Sequence, residues 1–280
     1  MTNFFLRLAS FLARILPNGL KRLFYSIDPL ARRIRAALNR AAPTGLTEVA
    51  VAAGVLKGAR IQLDLQEEKD YWLGTYETDL QTAIADLVRK GDIVYDVGAN
   101  IGYISLSLAR TVGEQGRVFS FEALPANLER LGHNLNLNSF GTRVDVVAAA
   151  VNADSQPVRF LVGPSGAMGK AEGSAGRSLA YAETLEVPGI SLDDFVYRDE
   201  NPPPDAIKMD IEGGEVLALQ GMPRLLKQVR PLILLELHGP EAASVAWETL
   251  TQAGYTIHDM KPGYPQVTSL QALDWKAYLV

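Results

Sequence analysis

The 280-residue chain contains no cysteine and only three histidines. The absence of cysteine excludes disulfide bonds, thiolate metal sites and cysteine nucleophiles together. It also fits a reducing compartment, so we expect a cytoplasmic protein. Imidazole chemistry is restricted to three positions, which are His133, His238 and His258.

Positive charge is scarce outside the first 43 residues. Overall, 27 Lys and Arg face 32 Asp and Glu, which gives a net charge of -5. Residues 1–43 hold eight bases and one acid, which leaves 19 bases and 31 acids for the rest of the chain. This acidic remainder argues against a nucleic-acid partner for the main domain.

Residues 1–45 form a basic segment that is expected to be helical. Polar residues recur at helical spacing between positions 3 and 16, and aromatic and aliphatic residues occupy the other face. Arg7, Arg14 and Pro17 interrupt the apolar run, so this helix is too short to span a bilayer and too charged for a secretory signal. Two interpretations stay open, namely peripheral membrane contact through residues 1–43 or packing of the apolar face on the domain.

Residues 46–80 are expected to form a small β-hairpin, with strands at 48–56 and 60–65, followed by an aromatic segment at 71–77. Residues 81–280 then alternate between strand and helix patterns, which predicts parallel strands joined by helical crossovers. Residues 163–189 are rich in glycine and poor in large apolar residues, which predicts a mobile surface loop. The predicted strands of the main domain are 93–97, 118–122, 144–151, 206–210 and 232–237, with a terminal pair near 255–258 and 276–280.

A glycine-containing turn, GANIG at positions 98–102, follows the predicted strand 93–97. Glycines at a strand-to-helix turn let the backbone approach a ligand, and open α/β sheets bind ligands at such turns. A dinucleotide fingerprint requires glycine where Asn100 and Tyr103 stand, and Asp96 would repel a phosphate. Glu122 follows Gly98 by 24 residues, at the place where an acid binds a ribose diol. The pattern favours an adenosine ligand that carries an ammonium group and no phosphate, such as S-adenosylmethionine.

Charged residues cluster where two neighbouring predicted strands end. Buried charges need pairing or a chemical task, and a carboxylate or imidazole at such an edge could accept a proton from a bound hydroxyl group. The alternative interpretation is structural, with Lys208 in a salt bridge and the acids at a helix N-terminus. The first strand brings Lys208, Asp210, Glu212 and Glu215 to this edge, and the second brings Glu236 and His238.

These segments together resemble the FkbM-type family of S-adenosylmethionine-dependent methyltransferases, within the class I Rossmann-like methyltransferases. The likeness covers roughly residues 90–240. It rests on four segments, which are YDVGANIGY (95–103), FSFE (119–122), IKMDIEGGE (207–215) and PLILLELH (231–238).

The resemblance implies an α/β fold, with a Rossmann-like seven-stranded, mostly parallel sheet whose last strand is antiparallel. Helices would cover both faces, and the small hairpin and the basic N-terminal helices would precede the sheet. By motif position, the methionine end of S-adenosylmethionine would be lined by Asp96, Gly98, Ala99, Asn100 and Gly102. Glu122 would bind the ribose, and Asp210 completes the expected cofactor-binding set.

The expected activity is O-methylation of a hydroxyl on a sugar, glycan, glycolipid or other secondary metabolite, by in-line methyl transfer with general-base assistance. His238 or Asp210 is the favoured base, Glu212 and Glu236 would orient the acceptor, and Lys208 belongs to the same catalytic set. No metal site is predicted, although a divalent cation held by Asp210, Glu236 and His238 is chemically conceivable. A cofactor-binding or membrane-recruited module without catalysis and an NAD-dependent oxidoreductase are the alternatives, and the sequence does not set the oligomeric state.

Overall fold

The structure is a computed structural model that describes residues 42–163, 169–171, 174, 183–273 and 278–279. The helical leader expected for residues 1–45 lies outside the described residues up to position 41, as does most of the expected loop between 163 and 183. The chain divides into two compact units, with the boundary between Gln81 and Thr82. Within the described residues, no helix combines the length and the apolar character that crossing a membrane requires.

The first unit is built on an antiparallel hairpin of β1 (Leu46–Ala50) and β2 (Arg60–Asp64), followed by α1 (Lys69–Leu73) and the start of α2 (Thr78–Leu87). Strand β1 ends six residues earlier than the sequence predicts. The reason is a series of turns, in which Val51 donates a hydrogen bond to Ala59 and Gly54 adopts a φ of +77°. A left-handed residue at Gly54 cannot continue an extended strand.

The second unit contains the central sheet, whose strands are β3 (Ile93–Val97), β4 (Arg117–Glu122), β5 (Val144–Ala148), β11 (Ala206–Met209), β12 (Leu232–Glu236) and β15 (Tyr278–Leu279). Their order in the sheet is β15-β12-β11-β3-β4-β5. Strands β3 to β5, β11 and β12 are parallel, and β15 runs antiparallel to β12. The parallel strands are rich in Val, Ile, Leu and Phe and largely buried, as expected for a sheet covered by crossover helices.

Helices pack on both faces of this sheet. One face presents the alternate residues that include Asp96 and Ser120, and α3 (Tyr103–Val112) lies on it, with Ser105 bonded to Asp96. The other face presents Tyr95 and Phe121 to a large apolar core. That core is completed by α5 (Leu192–Tyr197), α6 (Glu215–Gln220), α7 (Pro223–Gln228) and α8 (Pro240–Gln252), while α4 (Pro125–Leu137) links β4 to β5.

The expected seventh strand is not found in the central sheet, which has six strands among the described residues. The expected terminal pair also differs. Strand β13 (Ile257–His258) pairs with β14 (Gln266–Val267), because the chain reverses at Gly263, whose φ is +82°. Strand β15 pairs with β12 instead of with β13.

The prediction of a loop at 163–189 is wrong for the described residues 169–171 and 183–187, because these residues form strands. Strand β7 (Val158–Val162) pairs on its two sides with β8 (Gly169–Ala171) and β9 (Glu183–Val187). Strand β6 (Ala150–Val151) pairs in parallel with β10 (Gly189–Ile190). The glycine-rich composition hid these strands, since pairing and burial of residues such as Val187 decide strand formation here.

Candidate active site

The glycine turn lies at the carboxyl end of β3, against the end of β11. The amides of Gly98 and Ala99 both donate to the carbonyl oxygen of Phe121, at 3.0 and 2.9 Å. Gly98 has a φ of +80°, and a Cβ at this position would overlap the carbonyl oxygen of Asp210. Only glycine satisfies both constraints. The close approach also means that the turn is in direct contact with Asp210, the residue after β11.

Asn100 occupies the middle of the turn with a φ of +50°. Its amide nitrogen donates to Glu122 Oε2 at 2.9 Å. Its side-chain oxygen Oδ1 is buried and has no hydrogen-bond partner among the described residues. A buried acceptor without a donor is rare and indicates a place for a ligand that donates hydrogen bonds.

Glu122 ends β4 with its carboxylate buried beside the turn, and the side chain is held on both oxygens. Oε1 accepts from the Leu124 amide at 2.8 Å and from Asn127 Nδ2 at 3.4 Å. Burial raises the pKa of this carboxyl group, and the backbone hydrogen bonds from Leu124 and Asn100 partly oppose that effect. Each oxygen has two lone pairs, and Oε2 accepts only the Asn100 amide among these bonds, so it can still accept a bond from a ribose hydroxyl.

Beneath the turn, Lys208 and Asp96 form a buried ion pair, with Lys208 Nζ 3.2 Å from Asp96 Oδ1. The lysine also donates to the carbonyl oxygens of Val97 and Gly98 at 3.3 and 2.8 Å. Asp96 Oδ2 accepts from Ser105 at 2.6 Å, and Ser120 donates to Ser105 at 2.8 Å. The pair thus fixes the carbonyls that lead into the turn.

This network shows where two of the expected site residues lie. The side chain of Asp96 is fully buried and paired with Lys208, so its negative charge is compensated at the turn. Lys208 is also buried and donates to the backbone of the turn. Its pairing with Asp96 matches the alternative interpretation, in which Lys208 forms a salt bridge. The two serines were missed, although Ser120 and Glu122 alternate along β4 in a pattern that places both on the face of Asp96.

The other expected residues form an acid–histidine cluster at the ends of β11 and β12, made of Asp210, Glu212, Glu215, Glu236 and His238. His238 Nδ1 lies 3.0 Å from Glu215 Oε1. On the other side of the ring, Nε2 lies 3.8 Å from Asp210, 3.7 Å from Glu212 and 3.7 Å from Glu236. The parallel register of β11 and β12 brings these carboxyl ends together.

Burial of His238 favours the neutral ring and by itself lowers its pKa. The hydrogen bond that the ring donates to Glu215 and the charges of Glu215, Asp210 and Glu236 oppose the effect of burial, and they raise the pKa to about 9. The cluster therefore favours the protonated, positively charged form of the His238 ring. In contrast, His258 bonds the carbonyl of Tyr264 at 2.8 Å in the β13–β14 hairpin, and His133 lies on α4, so neither belongs to the cluster.

A model of the methyltransferase FkbM domain matches residues 96–257, which is more than half of the chain. The chain belongs to the FkbM methyltransferase family. This family is one of S-adenosylmethionine-dependent methyltransferases, and the match includes the glycine turn, Glu122 and the whole acid–histidine cluster. The second unit has the central five-stranded parallel sheet of α/β methyltransferases.

Relatives of this FkbM-family protein include the hexuronic acid methyltransferase AglP of Haloferax volcanii. The two are 28% identical over 162 residues, which span 58% of this chain and 62% of the relative. The crystal structure of methyltransferase FkbM from Methylobacillus flagellatus is 16% identical, with a TM-score of 0.45, and the match covers 91% of this chain and 60% of that one. Fibrillarin of Aeropyrum pernix, solved with S-adenosyl-L-methionine, is 14% identical with a TM-score of 0.41, over 72% of this chain and 70% of that one.

Proposed function

We propose that this protein transfers the methyl group of S-adenosylmethionine to a hydroxyl of a sugar or glycan. The observation that carries the proposal is the contact of Gly98 with the carbonyl oxygen of Asp210. This contact joins the glycine turn directly to the residue that opens the acid–histidine cluster. A cofactor on the turn and an acceptor at the cluster would therefore be neighbours, as in-line displacement requires.

The residues at the turn fit S-adenosylmethionine. The unpaired Oδ1 of Asn100 can accept a hydrogen bond from the ammonium group, and Glu122 can accept from the ribose hydroxyls. The turn also leaves the carboxylate of Asp96 paired with Lys208, so the positive sulfonium would be attracted chiefly by the cluster carboxylates. When bound, S-adenosylmethionine supplies an electrophilic methyl group.

The cluster is suited to an acceptor hydroxyl, which must lose its proton as the new bond forms. Asp210 and Glu236 are about one-fifth exposed and Glu212 is two-fifths exposed, so their oxygens can reach a sugar bound from solvent. Asp210 and Glu212 are the candidate proton acceptors, and His238 can accept a proton only in its neutral form, which its raised pKa disfavours. A sugar is favoured as the acceptor because the relative AglP is a hexuronic acid methyltransferase and carboxylates commonly bind sugar hydroxyls.

The direct test incubates the full-length protein with deuteromethyl-labelled S-adenosylmethionine and a panel of neutral and uronic-acid glycans. Mass spectrometry should detect the label on a glycan, and fragmentation should place it on oxygen. Cofactor binding measured by calorimetry without any transfer to the panel would support a module without catalysis. Absence of cofactor binding would refute the proposal.

A substitution at His238 tests the part that the cluster plays. His238→Ala should leave S-adenosylmethionine binding unchanged by calorimetry, because the ring lies in the acceptor cluster and not at the turn, while turnover falls at least about tenfold. His133→Ala is the matched control and should retain turnover. If His238→Ala turned over at the original rate, His238 would have no part in the chemistry.

A further inference from the structure

A buried carboxylate holds the His238 ring at its Nδ1 atom. Glu215 is fully buried, and its Oε1 accepts from the amides of Ile211 and Gly213 at 3.2 Å each as well as facing His238 Nδ1 at 3.0 Å. A carboxylate at Nδ1 selects the tautomer that has its proton on Nδ1 and its lone pair on Nε2. Glu215 is therefore a buried acid that orients the imidazole of His238.

The other ring nitrogen points into a space that is surrounded by carboxylate oxygens. The His238 side chain is only 10% exposed, yet its Nε2 has no partner within hydrogen-bond distance among the described residues. Oxygens of Asp210 and Glu236 lie 3.8 and 3.7 Å away, and the three donor atoms fall within 4.8 Å of one another. The two Nε2–oxygen separations are too long for hydrogen bonds and lie below about 4.2 Å, which is the largest distance between two ligands that are each about 2.1 Å from one ion.

We infer that Asp210, Glu236 and His238 bind a divalent cation, with Glu215 as the positioning residue for the imidazole. One imidazole nitrogen and two carboxylate oxygens form a ligand set for an ion such as Mn²⁺, and three protein ligands leave positions open for a substrate oxygen. The inference deepens the proposed function and rests on it only for the role of the ion in methyl transfer.

In this proposal the cation makes the acceptor hydroxyl more acidic, and a separate carboxylate accepts its proton. An acceptor hydroxyl at an open position becomes more acidic, and its proton passes to Glu212, the most exposed acid of the cluster. The hydroxyl oxygen then bonds the methyl carbon, and the carbon–sulfur bond breaks with its electron pair returning to sulfur. Charge favours this arrangement, because a divalent cation offsets two of the four carboxylates around His238, whereas a proton offsets one.

The test measures Mn²⁺ binding to full-length protein after treatment with a chelator, without cofactor or acceptor. Electron paramagnetic resonance of free Mn²⁺ should show one site per chain. Glu236→Gln and His238→Ala should each weaken binding at least tenfold, and Glu215→Gln roughly 10- to 100-fold, because outer partners of ligands have effects of this size. Glu241→Gln is the control, since Glu241 lies in the first turn of α8 outside the cluster.

Each outcome decides the inference. Absence of Mn²⁺ binding by the original protein overturns it, and so does unchanged binding by both folded ligand variants, with folding checked by circular dichroism. If one ligand variant fails to fold, the other decides. Mn²⁺ binding together with transfer that survives the chelator would overturn the catalytic role of the ion. Because binding is measured without methyl transfer, failure of the cation site and failure of the proposed function are distinguishable.

Discussion

At the residue scale, Gly98 shows how one missing side chain sets the geometry of the cofactor turn. Gly98→Ala should destabilise the protein by at least about 1–3 kcal/mol, because the new Cβ overlaps the Asp210 carbonyl and the φ of +80° disfavours alanine. Affinity for S-adenosylmethionine should fall as well. Urea unfolding and calorimetry check the two effects.

The control for this change is Gly132→Ala. Gly132 lies inside α4, and a Cβ there meets no atom within 4 Å. Alanine favours the helix by up to about 1 kcal/mol over glycine, so this variant should be as stable as the original protein or more so. Equal stability of the two variants would show that the turn tolerates a side chain.

The ion pair under the turn gives a second prediction at this scale. Lys208→Met should lower the free energy of unfolding by roughly 3–5 kcal/mol, because it leaves the fully buried carboxylate of Asp96 without its cation. In the exposed pair of Arg117 and Asp145, whose side chains are 50% and 43% exposed, Arg117→Met should cost at most about 1 kcal/mol. Similar losses in denaturant titrations of the two variants would contradict a special role for the buried pair.

At the element scale, Asp193 of α5 links two helices that cover the core face of the sheet. Its carboxylate accepts from the amides of Arg224 and Leu225, at 2.7 and 2.9 Å, and so caps α7. The guanidinium of Arg224 also lies 3.5 Å from the centre of the Tyr197 ring. The partner helix begins about 30 residues further along the chain, so this cap is not evident from the local sequence around Asp193.

Asp193→Ala should therefore destabilise the protein by about 1–2 kcal/mol, the usual cost of losing a helix cap. Asp193→Asn should cost less, since its remaining oxygen still accepts one of the two bonds. Glu129→Ala on α4 is the surface control and should change stability by no more than about 0.5 kcal/mol. Thermal unfolding of the three variants tests the order, and an Asp193→Ala variant as stable as the control would rule out the cap.

At the scale of the whole molecule, the membrane contact expected for residues 1–43 is a separate prediction. If the basic amphipathic segment lies in the lipid interface, full-length protein should float with vesicles that contain anionic lipid, and a chain lacking residues 1–43 should not. Binding of S-adenosylmethionine should be equal in both, because all the proposed cofactor residues lie in the second unit. Equal flotation of the two chains would exclude the lipid contact, and higher salt should weaken a genuine one.

The division between sequence and tertiary structure follows from the range of the interactions. The sequence alone determined the strand–turn–helix around Gly98, the acid at the end of β4 and the charged ends of β11 and β12, because these depend on neighbouring residues and on the parallel alternation. It misplaced the end of β1 and the strands within 163–189, and the seventh strand implied by the resemblance is not among the described strands of the central sheet. Strand pairing over such distances depends on burial and on the partners available.

Only the tertiary structure decided which charged groups are paired with each other and which are partly exposed in the acid–histidine cluster. Asp96 is neutralised by Lys208, which comes more than 100 residues later, and Glu215 orients His238 from a different element. A sequence pattern brings these residues to one sheet edge but does not fix which oxygen meets which nitrogen. Packing of the sheet and its helices sets those contacts, because the low dielectric of the interior makes every unpaired charge costly.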